Sequence, residues 1–147
     1  MVSIHSRFQQ DEAQATDRVL KAMENPWVDA LGHPTGRMLL KRDPVRLDME
    51  RVAAAAAQSG VALEINSQPH RLDLNDAHVR VARERGVRFI IATDAHSTGE
   101  LGNMRWGITV ARRGWLEPES ILNTRPVEEF RPLLRRNRRQ EIGRAHV

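Results

Sequence analysis

The 147-residue sequence contains no cysteine. That excludes disulfides, a thiolate metal site and a cysteine nucleophile, so any metal must be held by His, Asp, Glu or water. No apolar run approaches the roughly 20 residues of a membrane-spanning helix, and the first residues lack a signal-peptide pattern. The expectation is a cytoplasmic protein with no membrane partner. Internal repeats and low-complexity linkers are also missing. With 40% apolar and 29% charged residues, the length suits one ordinary globular domain. The formal net charge of +4 looks basic, but Arg131, Arg135, Arg136, Arg138, Arg139 and Arg144 crowd the last segment against Glu128, Glu129 and Glu141. A solvated helix end is the commoner cause of such a run, so composition does not establish nucleic-acid binding.

What is present alternates between strand and helix signals. Val2-Ser3-Ile4-His5 reads as the end of a strand, which places Met1 almost inside it and predicts that the sequence starts in the middle of a fold. Asp11 to Glu24 has helical spacing and stops at Asn25-Pro26. Trp27 to Gly32 reads as a second strand, followed by the turn-rich His33-Pro34-Thr35-Gly36-Arg37. A helix from Leu47 or Asp48 to Gln58 is closed by Gly60, and Val61 to Asn66 is a third strand of clean period 2. Leu72 to Arg85 predicts a third helix with Asp73 as N-cap and Gly86 at its stop. Phe89 to Thr93 is the fourth strand. Asn103 to Arg113, a short turn at Glu117 to Asn123, and a helix from Pro126 to about Arg136 complete the reading. Strand and helix alternate about four times with short connections, so the fold class is α/β, built of parallel βα units. Four strands are too few to close the common α/β barrel, and the pattern fits half a barrel or a small open sheet.

Three of these strands end in potential metal ligands: His5, His33, and the pair Asp94 and His96. Parallel strands carry their C-terminal ends to one side, so these groups converge over one mouth. Asp94 with His96 suits Zn, Mn or Fe; taken alone, the pair also reads as a capping Asp beside a surface His. If both face the inside, so do Ile90 and Ala92, while Phe89, Ile91, Val2 and Ile4 face the helices. The same parity applied to His33 puts Leu31 and Asp29 inside. Glu64 and Asn66 point to that interior from the third strand. Glu64 is open to two readings, an acceptor that orients a ligating imidazole or a buried carboxylate paired with an arginine. Arg7, Arg37 and Arg71 lie on loops just past strand ends, where guanidinium groups bind phosphate. His70 and His78 read as structural.

The segments His5-Ser6-Arg7-Phe8, Gly32-His33-Pro34-Thr35-Gly36-Arg37, Leu63-Glu64-Ile65-Asn66 with Arg71-Leu72-Asp73-Leu74, and Thr93-Asp94-Ala95-His96-Ser97 resemble the later motifs of the polymerase and histidinol phosphatase (PHP) domain. Asn103-Met104-Arg105-Trp106-Gly107 and Ala111 to Leu116 resemble the form found at the C-terminus of bacterial family X DNA polymerases. The resemblance runs from Val2 to about Arg136. It implies the C-terminal half of a distorted seven-stranded TIM-like barrel, with up to three Mn or Zn ions at its mouth. By motif, His5, His33, Asp94 and His96 match metal ligands, and Asp94 and His96 act through the metal and its activated water. The implied activity is metal-dependent phosphoester hydrolysis, here 3'-5' exonuclease processing of DNA ends in repair. The alternatives are a histidinol-phosphatase-type enzyme for small molecules and a non-catalytic DNA-docking module. The family's opening His-x-His pair and other early ligands have no counterpart, so residues 1–136 are expected to be a partial domain with little activity alone. Its implied partners are DNA ends, reached through a parent polymerase, and the missing N-terminal half. Residues 137–147 read as a basic tail, and Glu141 to Val147 resemble translated sequencing-adapter DNA.

Overall fold

The computed structural model describes residues 1–134. The tail 137–147, and Arg135 and Arg136 of the last expected helix, lie outside the described residues. Four strands form one sheet in the order β1 (Val2–Ser3), β2 (Ala30–Gly32), β3 (Ala62–Asn66) and β4 (Phe89–Ala92), with every neighbouring pair parallel. The crossovers are α1 (Glu12–Met23), α2 (Met49–Ser59) and α3 (Asp76–Glu84), and α4 (Met104–Arg113) follows β4.

The helix starts are set by side chains that take up otherwise unpaired amides. Asp11 accepts from the Gln14 N–H, Asp48 from Arg51 and Asn75 from His78. The third of these corrects the sequence reading, because α3 is capped by Asn75 and not by Asp73. Asp73 is fully buried and serves elsewhere. Gly60 closes α2 at φ 73°, as expected of a left-handed C-cap. β2 is shorter than anticipated, since Trp27 is 68% exposed ahead of it. A 3-10 stretch, Thr98–Asn103, precedes α4, and the last helix shrinks to α5 (Val127–Phe130) before a 3-10 turn at Arg131–Leu133.

The main core lies between the helices and one face of the sheet. Leu31, Leu63, Ile65, Phe89 and Ile91 pack there with Val19, Met23, Val52, Ala56, Val79 and Ala82. Leu63 and Phe89 are completely buried, each worth about 1.5 to 3 kcal/mol relative to exposure. Val2 and Ile4 belong to this face, as the alternation predicted. Leu31 does too, which corrects the parity assigned to β2. In the register Ala30↔Ala62 and Leu31↔Leu63, it is Ala30 that shares the opposite face with Ala62. Alternation does not carry through to His33, whose φ of 27° re-aims the chain just past the strand.

That opposite face is partly covered by the C-terminal segment. Leu122, Phe130 and Leu133 join Ala30, Ala62 and Ile90 in a second small cluster. Ile121 extends the sheet by a single parallel bridge to Phe89, and the Asn123 side chain pairs with both the N–H and the C=O of Ile91, at 3.1 and 2.8 Å. The open edge of β4 is thereby blunted. Helix α4 sits close because Gly107 has no side chain: a Cβ there would meet Ser67 Oγ at 2.1 Å and Ile91 Cγ2 at 2.5 Å. No described helix is long and apolar enough to cross a membrane.

Candidate active site

Since all four strands are parallel, the residues that follow them gather at one end of the sheet. His5 follows β1 and His33 follows β2; their rings meet edge to face, with centroids 5.2 Å apart. His5 is exposed and His33 is buried. Burial is the first reason that His33 titrates below the ordinary imidazole range; the charges of Arg71 and His5 add to it. Its Nδ1 is buried with no hydrogen-bond partner, an electron pair or proton left without an assigned use. β3 contributes Glu64 and Asn66. Glu64 accepts the His33 backbone N–H at 2.5 Å and so fastens the β2 loop. Burial raises its carboxyl to about 7; the neighbouring Asp94 and Asp73 add to the rise, while the His33 amide and Asn66 oppose it.

Asp94, after β4, accepts from Asn66 Nδ2 at 3.2 Å and lies 3.7 Å from Arg71 Nε. Its φ of 51° is uncommon for a residue with a side chain. His96 stands at the rim, exposed, with Nδ1 2.8 Å from the Asp94 carbonyl. A carbonyl only accepts, so Nδ1 is the donor, and in the neutral ring the lone pair then lies on Nε2.

The three anticipated arginines fare differently. Arg71 is largely shielded, and its Nε, which has no hydrogen-bond partner, approaches Asp94. Arg37 donates Nε to the Arg71 carbonyl at 2.7 Å and Nη2 to the Leu72 carbonyl, which ties two loops together. Arg7 is exposed at φ 56° in the loop that follows β1. Thus His5, His33, Glu64, Asn66, Arg71 and Asp94 come together, with His96 at their rim. Among the described residues no three His, Asp or Glu side chains are gathered as a group able to hold an ion unaided. The unpartnered His33 Nδ1, the free Nε2 of His96 and the Asp94 carboxylate are nevertheless the donor chemistry that Zn or Mn takes.

The sequence reading missed two structural supports. Gln68, 5% exposed, donates Nε2 to the Asp94 carbonyl and to Glu100 Oε2, both at 3.0 Å, and accepts from Asn103 Nδ2 at 3.2 Å. Glu100 also accepts the His96 N–H at 2.8 Å, the leading cause of its lowered carboxyl. These bonds hold Asp94 in its uncommon conformation. Asp73 takes the Thr35 N–H on both oxygens, at 3.0 and 3.3 Å, and burial raises it to about 6. Neither role has a local signal, because each partner is more than 25 residues away in sequence.

Among known proteins, the chain is 39% identical to DNA polymerase/3'-5' exonuclease PolX of Bacillus subtilis over 137 residues, 93% of this chain. It is a homologue of the PHP-type, C-terminal part of a family X polymerase. Proteins named as probable phosphatases in Thermoanaerobacter sp. and Caldanaerobacter subterraneus subsp. tengcongensis are 26% and 28% identical, over 90% and 91% of this chain. The chain spans 24% of the Bacillus polymerase and 54% and 52% of the two phosphatases. No family model matches it.

Proposed function

We propose that the chain supplies the C-terminal half of a PHP-type, metal-dependent phosphoesterase site that processes the 3' ends of DNA in repair. The observation that carries this reading is the convergence of His5, His33, Asp94 and Arg71 over one end of a parallel sheet. The four strands are, in this proposal, half of a distorted seven-stranded barrel, and its other half provides the remaining ligands. His5, His33, Asp94 and His96 would hold one or more Mn or Zn ions. When bound, such ions supply an activated water and positive charge for phosphoester hydrolysis.

The chain's own residues have defined tasks in that reaction. Arg71, fixed beside Asp94, neutralises a phosphoryl oxygen as charge develops, and Arg7 and Arg37 contribute longer-range attraction. Glu64 and Asn66 position the ligands through the His33 amide and the Asp94 carboxylate. Gln68 keeps the Asp94 backbone where its side chain faces Asn66 and Arg71.

A small-molecule phosphatase is the second reading, supported by the names of the shorter relatives. A chimera separates the two: residues 2–134 replace the matching segment of the Bacillus polymerase, and Mn-dependent hydrolysis is followed on a 3'-labelled oligonucleotide and on p-nitrophenyl phosphate. Nucleotide release from the oligonucleotide supports the DNA-end reading. Hydrolysis of the phosphomonoester alone supports the phosphatase, and a folded chimera that cleaves neither overturns both.

A further inference from the structure

The turn that follows the β2 loop has a feature that phosphoester chemistry leaves unexplained. Leu40 is 107% exposed and Leu39 40% exposed, and Leu40 holds the uncommon φ of 62°. This is a fastened turn. Met38 and Arg42 exchange backbone hydrogen bonds at 2.9 and 2.8 Å, and the Leu39 N–H donates to the His70 carbonyl at 2.7 Å. Arg42 donates Nε and Nη2 to the Gly36 carbonyl at 3.0 and 2.6 Å and stacks 3.8 Å from the Phe8 ring centre. An apolar side chain is therefore presented to water on a fixed backbone, beside a recess of about 360 Å³ lined by residues 37–44. Its charged lining is mainly cationic, with Arg37, Lys41 and Arg42 against Asp43. The turn also leads to the active site, because His70 is followed by Arg71, whose Nε approaches Asp94.

We infer that the Met38–Arg42 turn docks the unpaired 3' end of a nucleic acid strand, with Leu40 set against a base and Lys41 against the backbone. The inference rests on the DNA-end reading and specifies how the strand is held. Aliphatic side chains serve as wedges against base stacks, and neighbouring cations contribute a sequence-independent, salt-sensitive attraction. A base contact of this kind is tolerant of sequence and requires no bond to the base edge.

The test is fluorescence anisotropy of a labelled oligothymidylate with the 147-residue chain, in EDTA and across a salt series, alongside an abasic strand of equal length. Leu40→Ala is expected to weaken oligothymidylate binding on the order of 10-fold with an unchanged salt slope, and to leave abasic binding as it was. Lys41→Gln is expected to lower the slope of log Kd against log salt by about one. Circular dichroism checks that each variant is folded. The inference is overturned by no binding by the wild type, by equal binding by wild type and Leu40→Ala, or by equal affinity for abasic and normal strands. Sedimentation that shows Leu40→Ala dissociating a dimer also overturns it, assigning the leucine to self-association. Hydrolysis plays no part in these measurements, so an inactive chimera sinks the phosphoesterase reading alone. An active chimera whose KM for the oligonucleotide is unmoved by Leu40→Ala sinks this inference alone.

Discussion

Replacing Asp73 with asparagine removes a charge that the fold holds at a cost. The side chain is completely buried, both oxygens face the Thr35 N–H, and its carboxyl is raised from 3.8 to about 6 by burial. A carboxyl raised in the folded state favours folding fully below its ordinary value, and that contribution is lost as pH rises through about 6. At 1.36 kcal/mol per pH unit, the loss across the window is about 3 kcal/mol. Glu64, raised to about 7, acts in the same direction. His33 and His78 are lowered by burial, so their contributions are present above the ordinary imidazole value and lost as pH falls. The difference between wild type and Asp73→Asn isolates the one group. Asparagine keeps an oxygen for the Thr35 N–H and cannot ionise. Urea unfolding followed by far-UV circular dichroism from pH 4 to 7.5 should show the variant near wild type at the acid end and gaining about 2 to 3 kcal/mol on it by the neutral end. Tryptophan fluorescence is the poorer probe, as Trp27, Trp106 and Trp115 are 68%, 40% and 62% exposed. A difference that stays flat with pH would refute the reasoning and would mean that the nearby Arg37, whose charge opposes the rise of the Asp73 carboxyl, fully compensates the buried charge.

Other perturbations follow from the packing. Gly107→Ala should destabilise by about 1 to 3 kcal/mol in the same unfolding assay, because its Cβ would lie 2.1 Å from Ser67 Oγ and 2.5 Å from Ile91. A neutral outcome would show that α4 moves freely off the sheet. Asn123→Ala frees the N–H and C=O of Ile91 and should cost about 1 to 2 kcal/mol, with faster amide exchange at Ile91. Leu40→Asn should be neutral or gain a few tenths of a kcal/mol in stability, since asparagine tolerates the left-handed region better.

The parts of this protein legible in sequence are those whose causes are local. The β4 segment, the starts of α1 and α2 near Asp11 and Asp48, and the stop at Gly60 each follow from residues within one turn of the chain. The gathering of His5, His33 and Asp94 was legible too, because parallel βα order alone carries strand ends to one side. What stayed hidden depends on contacts between distant segments. Asp73 sits three residues before α3 and reads as a cap, yet its partner is Thr35. Gln68 sits in a loop without periodicity, and only the fold brings it to Asp94 and Glu100. Alternation misassigned Leu31 because the backbone turns at His33, at φ 27°, and period 2 ends there.

The most direct test of the proposed site is the chimeric polymerase carrying Asp94→Ala, His33→Ala or Arg71→Ala, assayed for Mn-dependent release of 3' nucleotides with Mn affinity measured in parallel by titration calorimetry. The expected result is a loss of at least 100-fold in kcat/KM for Asp94→Ala and His33→Ala together with weaker Mn uptake, and for Arg71→Ala a loss of roughly 10-fold or more with Mn uptake retained. Unchanged hydrolysis and unchanged Mn uptake in the Asp94→Ala and His33→Ala chimeras would contradict the site.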